Sequence, residues 1–349
     1  MMKRLTTAVS LAIPTVLLAP AVADACGGLI GENGTIQLVR TTTLAAYSDG
    51  VERYVTAFEF TGEGESVGTI VPLPDVPTKV EKGGNWTLQR LVQEVNPPAP
   101  DVRTLAAAES ADQAGGVEII LETEIDALDI TVLKGGGDEV GKWALENGFL
   151  LTPDAPEVLD FYAERSPVFM AAKFDAKRAQ RLGQGAGDST PIMATIPTDD
   201  PWVPVHILQL GLEDQQQVEA DVFLLTDERP ELLAGGPGLT LERSEQASTP
   251  LLDELRSDKR MKWVPNDMWL SYLTLDADAE DLDYDLAVSV GADEEPSIMD
   301  AGVGPASAVP VDPESPGIPL WPFVAGGWTA LIVVVALTFG SRRRGVSAP

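Results

Sequence analysis

The chain carries one cysteine and one histidine in 349 residues, and 24 lysines and arginines against 54 aspartates and glutamates. A lone thiol closes no internal disulfide. One His and one Cys also fall short of the ligand sets that zinc sites use. The formal charge of −30 repels phosphate backbones, which excludes a nucleic-acid partner. Aromatics make up 6%, leaving few stacking platforms for sugars. What is present is a hydrophobic fraction of 44%, enough for a sizeable core in one large domain or two small ones. Disorder, collagen and coiled coil are excluded as descriptions of the whole chain.

Two apolar runs stand at the ends. Lys3 and Arg4 precede the run Leu11 to Ala23, which closes on small residues. That order predicts a secretory signal peptide over 1–25. Residues 318–340 hold no charge, and 23 residues at about 1.5 Å each give roughly 34 Å, enough to cross a bilayer as a transmembrane helix. Arg342, Arg343 and Arg344 follow directly and place the tail 341–349 on the cytoplasmic side. A cell-wall sorting pentapeptide is absent before Ile318, so a retained anchor is expected. The localisation read from this is the cell membrane, single-pass, with the bulk of the chain extracytoplasmic.

Cys26 falls just after the expected cleavage site. Three readings stay open for it: lipid attachment, although Ala23 and Asp24 depart from a lipobox; an intermolecular disulfide; and a structural thiol.

Between the ends, strand patterns dominate. Gln37 to Tyr47 and Val51 to Phe60 flank Ser48-Asp49-Gly50, a hairpin signature. Ser66 to Leu73 is a third strand. Asn85 is placed to cap a helix from Trp86 to Val95. Residues 97–116 read as an exposed linker and a point where the domain could subdivide. Strands are expected from Glu118 to Val132, Val168 to Phe174, Val203 to Leu210, Val218 to Thr226, Trp269 to Leu275 and Leu282 to Val290, the last as a clean alternation. Helices are expected from Asp138 to Gly148, Pro153 to Glu164 and Pro250 to Arg256. Residues 292–317 are rich in Pro, Ala and acids and read as a spacer beyond a domain of 26–291. The fold class is α+β, mostly antiparallel sheet with a few short helices.

Cys26-Gly27-Gly28, the segment Val71 to Pro77, the stretch Val140 to Lys173 and the block Pro191 to Leu210 follow one another in an order that resembles the domain of unknown function 2330 family of exported bacterial proteins. The resemblance implies an exported or anchored bacterial domain and transfers no catalytic residues. Family members often carry further cysteines after the Cys-Gly-Gly start, and this chain has none.

Chemical motifs are sparse. His206 lies in an apolar strand pattern and no Gly-x-Ser-x-Gly elbow exists to supply a nucleophile, so it reads as a core or sheet-face histidine. Gly183 to Asp188 lacks the Lys-Ser/Thr of a phosphate loop and reads as a flexible loop. Asp276, Asp278, Asp281 and Asp283 are the weak calcium candidates; counted from Asp276, an EF-hand would need Gly at Asp281 and Glu at Ala287. A solvated acidic turn is the preferred reading there, with a loose millimolar calcium site as the alternative. No other metal or cofactor is expected. The functional reading is a membrane-anchored extracytoplasmic binding or structural surface module; the alternative, which leaves the enzyme question open, is an extracytoplasmic hydrolase using an Asp/Glu pair. Its partners are the membrane, through the C-terminal helix, and an envelope component or protein.

Overall fold

Strand β1 (Gly28–Gly31) is followed by the hairpin β2 (Thr41–Ser48) and β3 (Val51–Phe58) in a computed structural model of the protein. The structure describes residues 28–31, 41–58, 66–96, 117–149, 151–184, 190–234, 236–291, 295–303 and 309–311. The expected signal peptide, Cys26, the linker at 97–116, the loop at 185–189, the apolar run 318–340 and Arg342, Arg343 and Arg344 lie outside the described residues. Among the described residues no helix is long and apolar enough to cross a membrane.

The β2–β3 turn places Asp49 at φ 54° and Gly50 at φ 70°. Two left-handed residues in succession twist in the sense the flanking strands need. After β4 (Ser66–Pro72) and β5 (Lys79–Lys82) comes helix α1 (Thr87–Val95). Its cap is not Asn85. Asp258 reaches in from far along the chain, and its Oδ2 accepts from Trp86 N at 3.0 Å and Thr87 Oγ1 at 3.1 Å. A cap supplied by a distant side chain leaves no local pattern.

The hairpin β6 (Glu118–Ile125) and β7 (Leu128–Lys134) leads into helices α2 (Gly137–Glu146) and α3 (Ala155–Ala163). Asp138 and Glu139 occupy the first turn of α2, and Glu139 accepts from the Gly136 amide at 3.1 Å. Gly148, at φ 83°, allows the chain to leave that helix. Then follow β8 (Val168–Asp175), α4 (Ala176–Leu182), β9 (Thr190–Pro197) and β10 (Trp202–Val203). The expected strand from Val203 to Leu210 is corrected: it stops after two residues, and His206–Gln209 form a 3₁₀ turn. Pro204 has no N–H for a ladder, and the next two amides turn to a carboxylate instead. The remaining elements are β11 (Gln217–Thr226), β12 (Glu231–Ala234), β13 (Leu239–Gln246), α5 (Thr249–Ser257), β14 (Trp269–Asp278), β15 (Leu286–Ser289) and β16 (Val309–Pro310).

These strands make three sheets. Seven run in the order β13-β14-β11-β2-β3-β9-β5, five in the order β1-β4-β8-β7-β6, and four in the order β10-β15-β12-β16. Their pairings are antiparallel except β2 with β11, so the fold is a sheet-rich α+β domain. One core cluster takes Tyr54, Ala194 and Leu273 from the seven-stranded sheet and Val71, Ile130 and Met170 from the five-stranded one, joining the two as a sandwich. The opposite face of the large sheet gives Leu44, Val55 and Phe223 to a second cluster, closed by Leu91 of α1 and Leu252 and Leu255 of α5. Helix α2 and the residues just after it cover the outer face of the five-stranded sheet, where a Cβ on Gly68 would stand 2.1 Å from Phe149. Burying each such Leu, Ile or Phe contributes about 1.5–3 kcal/mol.

The C-terminal part departs from expectation. Only Leu286 to Ser289 pair as a strand, and Tyr284 through Ser289 are all buried, so the alternation from Leu282 to Val290 is not kept. Within the stretch read as spacer, a turn at 297–303 packs Ala301 against Leu233 and Ala287, and β16 adds to the edge of β12.

Candidate functional site

Among the described residues, a concentrated group of polar and aromatic side chains centres on Asp285, which is fully buried. Four donors converge on it, from helix α3 with the residues just after it and from the start of the 3₁₀ turn. Tyr162, on the inner side of α3, donates its hydroxyl to Oδ1 at 2.9 Å. The amides of Val205 and His206, at the start of the 3₁₀ turn, donate to the same oxygen at 2.6 and 3.0 Å. Arg165, just past the end of α3, donates Nη2 to Oδ2 at 2.6 Å, and its own side chain is 8% exposed. Charge-assisted donors on both oxygens are what a carboxylate needs to stay in an apolar interior.

Arg165 is held on every side. Nη1 donates to the Asp300 carbonyl at 2.5 Å, and its guanidinium lies 4.3 Å from the Phe161 ring centre and 5.1 Å from those of Tyr162 and Trp202. Asp285 N in turn donates to the Ala301 carbonyl at 2.9 Å. The turn at 297–303 is therefore latched to the domain by both partners of the ion pair. Gly302 makes the latch fit: its φ is 70°, and a Cβ there would stand 2.2 Å from Phe161.

His206 completes the group. Its ring packs 4.0 Å from Phe161, and Nδ1 lies 2.5 Å from the Leu282 carbonyl, which assigns the proton to Nδ1. Burial lowers its pKa below the usual histidine value; nearby Asp285 opposes that shift. Burial and the adjacent Asp285 raise the Tyr162 phenol well above its ordinary range. Asp300, half-buried beneath the latch, is also raised by desolvation.

A second buried acid lies nearby. Glu52, on the inner face of β3, is fully buried, and neither of its oxygens has a hydrogen-bond partner. Burial pushes its pKa up to about 8, offset a little by the Trp202 backbone, whose geometry falls short of a hydrogen bond. The Trp202 ring stacks on Tyr162, 5.7 Å between centres. Trp202 thus stands between Glu52 and the Asp285 group.

The acidic candidates from the sequence do not converge. Asp276 is exposed on β14, Asp278 accepts from Gln217, and Asp281 and Asp283 are exposed around the next turn. Among the described residues no three of His, Cys, Asp and Glu form a group able to hold a metal ion. Asp285 belongs to the same acidic run, and only its long-range partners distinguish it. Neither Glu52 nor Arg165 has a sequence signal: each looks like an ordinary charged residue in a strand or at a helix end.

Two solved structures match the chain at low similarity. Baculovirus P35 matches with 12% identity and a TM-score of 0.40 over 76% of this chain and 100% of that one. A mutated baculovirus P35 after caspase cleavage matches with 8% identity and a TM-score of 0.38 over 73% and 99%. No curated protein matches the chain. The family model described as "Uncharacterized protein conserved in bacteria (DUF2330)" matches residues 20–233, which hold β1 to β11, most of β12, and Glu52, Tyr162, Arg165 and His206. The chain belongs to the bacterial DUF2330 family.

Proposed function

We propose that this protein is an exported module held at the cell membrane by one C-terminal helix, its α+β domain serving as a binding or structural surface. The observation that carries the reading is that the side chains around Asp285 turn inward and use up their bonding capacity on the protein itself. Asp285 takes four donors, Arg165 is spent on Asp285 and on three main-chain carbonyls, and the His206 ring faces the Leu282 carbonyl. Such a group fixes a fold rather than turning over a substrate. The anchoring part rests on the uncharged run 318–340 and the three arginines after it. A net charge of −30 favours basic or cationic partners.

The hydrolase reading has one observation in its favour: Glu52, raised to about 8, and Asp285, bound by donors, lie on two sides of Trp202. Paired acids in contrasting environments are the raw material of acid–base catalysis. Both are fully buried, however, and a substrate would need a path to them.

The test is two-part. On intact cells, an impermeant amine reagent is expected to label lysines between 79 and 262; protection of all of them would refute export. With the anchored full chain as bait, envelope extract is expected to yield a partner retained above a charge-matched control protein. Equal retention by both would refute the binding module.

A further inference from the structure

Lys82 and Asp126 meet where the two large sheets come together at their edges. β5 is an edge strand of the seven-stranded sheet and β6 an edge strand of the five-stranded one. Lys82, at the end of β5, shares a strand face with Val80, which is buried in the core between the sheets. Asp126 occupies the turn joining β6 to β7, at φ 55°. Lys82 Nζ is in direct contact with Asp126 Oδ2, and the two side chains are 17% and 7% exposed. Ile125, Ala127 and Leu128 around the carboxyl are buried.

We propose that these two side chains condense after folding, so that an amide bond between Lys82 Nζ and Asp126 Cγ staples one sheet to the other. In water a primary amine and a carboxylic acid remain as hydrated ions. Here the fold has removed most of that hydration, and a pair held in contact reacts as if its partner were enormously concentrated. The ammonium gives one proton to a carboxylate oxygen, and the freed lone pair forms the N–Cγ bond. A second N–H proton moves to the departing hydroxyl, the Cγ–O bond breaks, and one water leaves. Charge, atoms and electrons balance with no oxidant or co-reactant. The product is neutral, which relieves the cost of keeping two ions buried.

The bond would also do what this chain has no other covalent means to do. With a single cysteine it cannot close an internal disulfide, and Lys82 and Asp126 enclose a loop of 44 residues. Cross-linking a loop of that size restricts the unfolded chain much as a disulfide does. The inference stands apart from the proposed anchoring and partner binding, since it needs only the folded domain.

Tryptic digestion of the purified full chain decides it. Cleavage at Lys79, Arg90, Arg103 and Lys134 isolates peptides 80–90 and 104–134. The expected result is one species in which the two are joined, lighter by one water than their sum and uncut at Lys82. In Lys82→Arg, which keeps the cation but forms no amide at this site, the joined species is expected to vanish and peptide 83–90 to appear. Recovery of free 83–90 and free 104–134 at unmodified mass from the wild-type protein would overturn the proposal and leave a simple ion pair.

Discussion

Replacing Glu52 by Gln tests the most unusual electrostatic feature of the interior. Glu52 is fully buried without a partner on either oxygen, and its pKa is pushed up to about 8 from the ordinary 4.5. In the unfolded chain it titrates near the ordinary value. Between roughly pH 5 and pH 8 the native state therefore holds a proton that the unfolded state has lost. Wild-type stability falls as pH rises through that window, by up to about 1.4 kcal/mol per pH unit from this group, and levels off above it. Accumulated over the window, the effect is a few kcal/mol, a large share of the total stability of an ordinary domain. Glu52→Gln keeps the shape and removes the titration. The amide brings its own cost for lacking partners, about 1–3 kcal/mol, but that cost is the same at every pH. The variant is thus expected to be less stable than wild type near pH 5 and to gain on it steadily toward pH 8. Urea denaturation followed by tryptophan fluorescence at pH 5, 6, 7 and 8 measures the difference. Parallel stability curves for the two proteins would refute the reasoning, because they would mean that Glu52 is already ionised in the native state.

Three further outcomes follow from the Asp285 group. Asp285→Ala strands Arg165 in the interior and is expected to cost about 3–5 kcal/mol, seen as a lowered denaturation midpoint. His206 behaves in the opposite sense to Glu52: its lowered pKa means that the unfolded state binds the proton first, so stability is lost as pH falls below about 6.5. His206→Gln is expected to flatten that acid limb in the same titration, and an unchanged limb would contradict the assignment. Gly302→Ala puts a side chain at φ 70° and into Phe161, so the turn at 297–303 should loosen; faster amide exchange at Ala301 and Val303 is the expected readout.

The family match ends at residue 233, yet the domain does not. β14 forms a ten-residue ladder with β11, and Asp285, from beyond the match, completes the polar centre whose other members lie inside it. The conserved family segment as matched supplies Tyr162, Arg165 and His206 without the carboxylate they surround. A chain cut after residue 233 would leave that arginine without its carboxylate partner.

What the sequence determined was whatever depends on near neighbours. The β2–β3 hairpin was legible because Asp49-Gly50 supplies two left-handed residues between β-branched runs, and α2 because acids open it and Gly148 ends it. β11 and β14 were legible as strand patterns, and the sheet-rich α+β class followed from their number. β9 escaped because Pro191 and Pro197 sit at its ends and mask a strand that is buried on both faces. Only the tertiary structure decided which acids are buried. Asp285 lies among six acidic residues from Asp276 onward, and nothing within that run sets it apart. Its partners Tyr162 and Arg165 are 123 and 120 residues away. The desolvation of a charge is fixed by what folds over it, and periodicity reports only which side of its own strand a residue occupies.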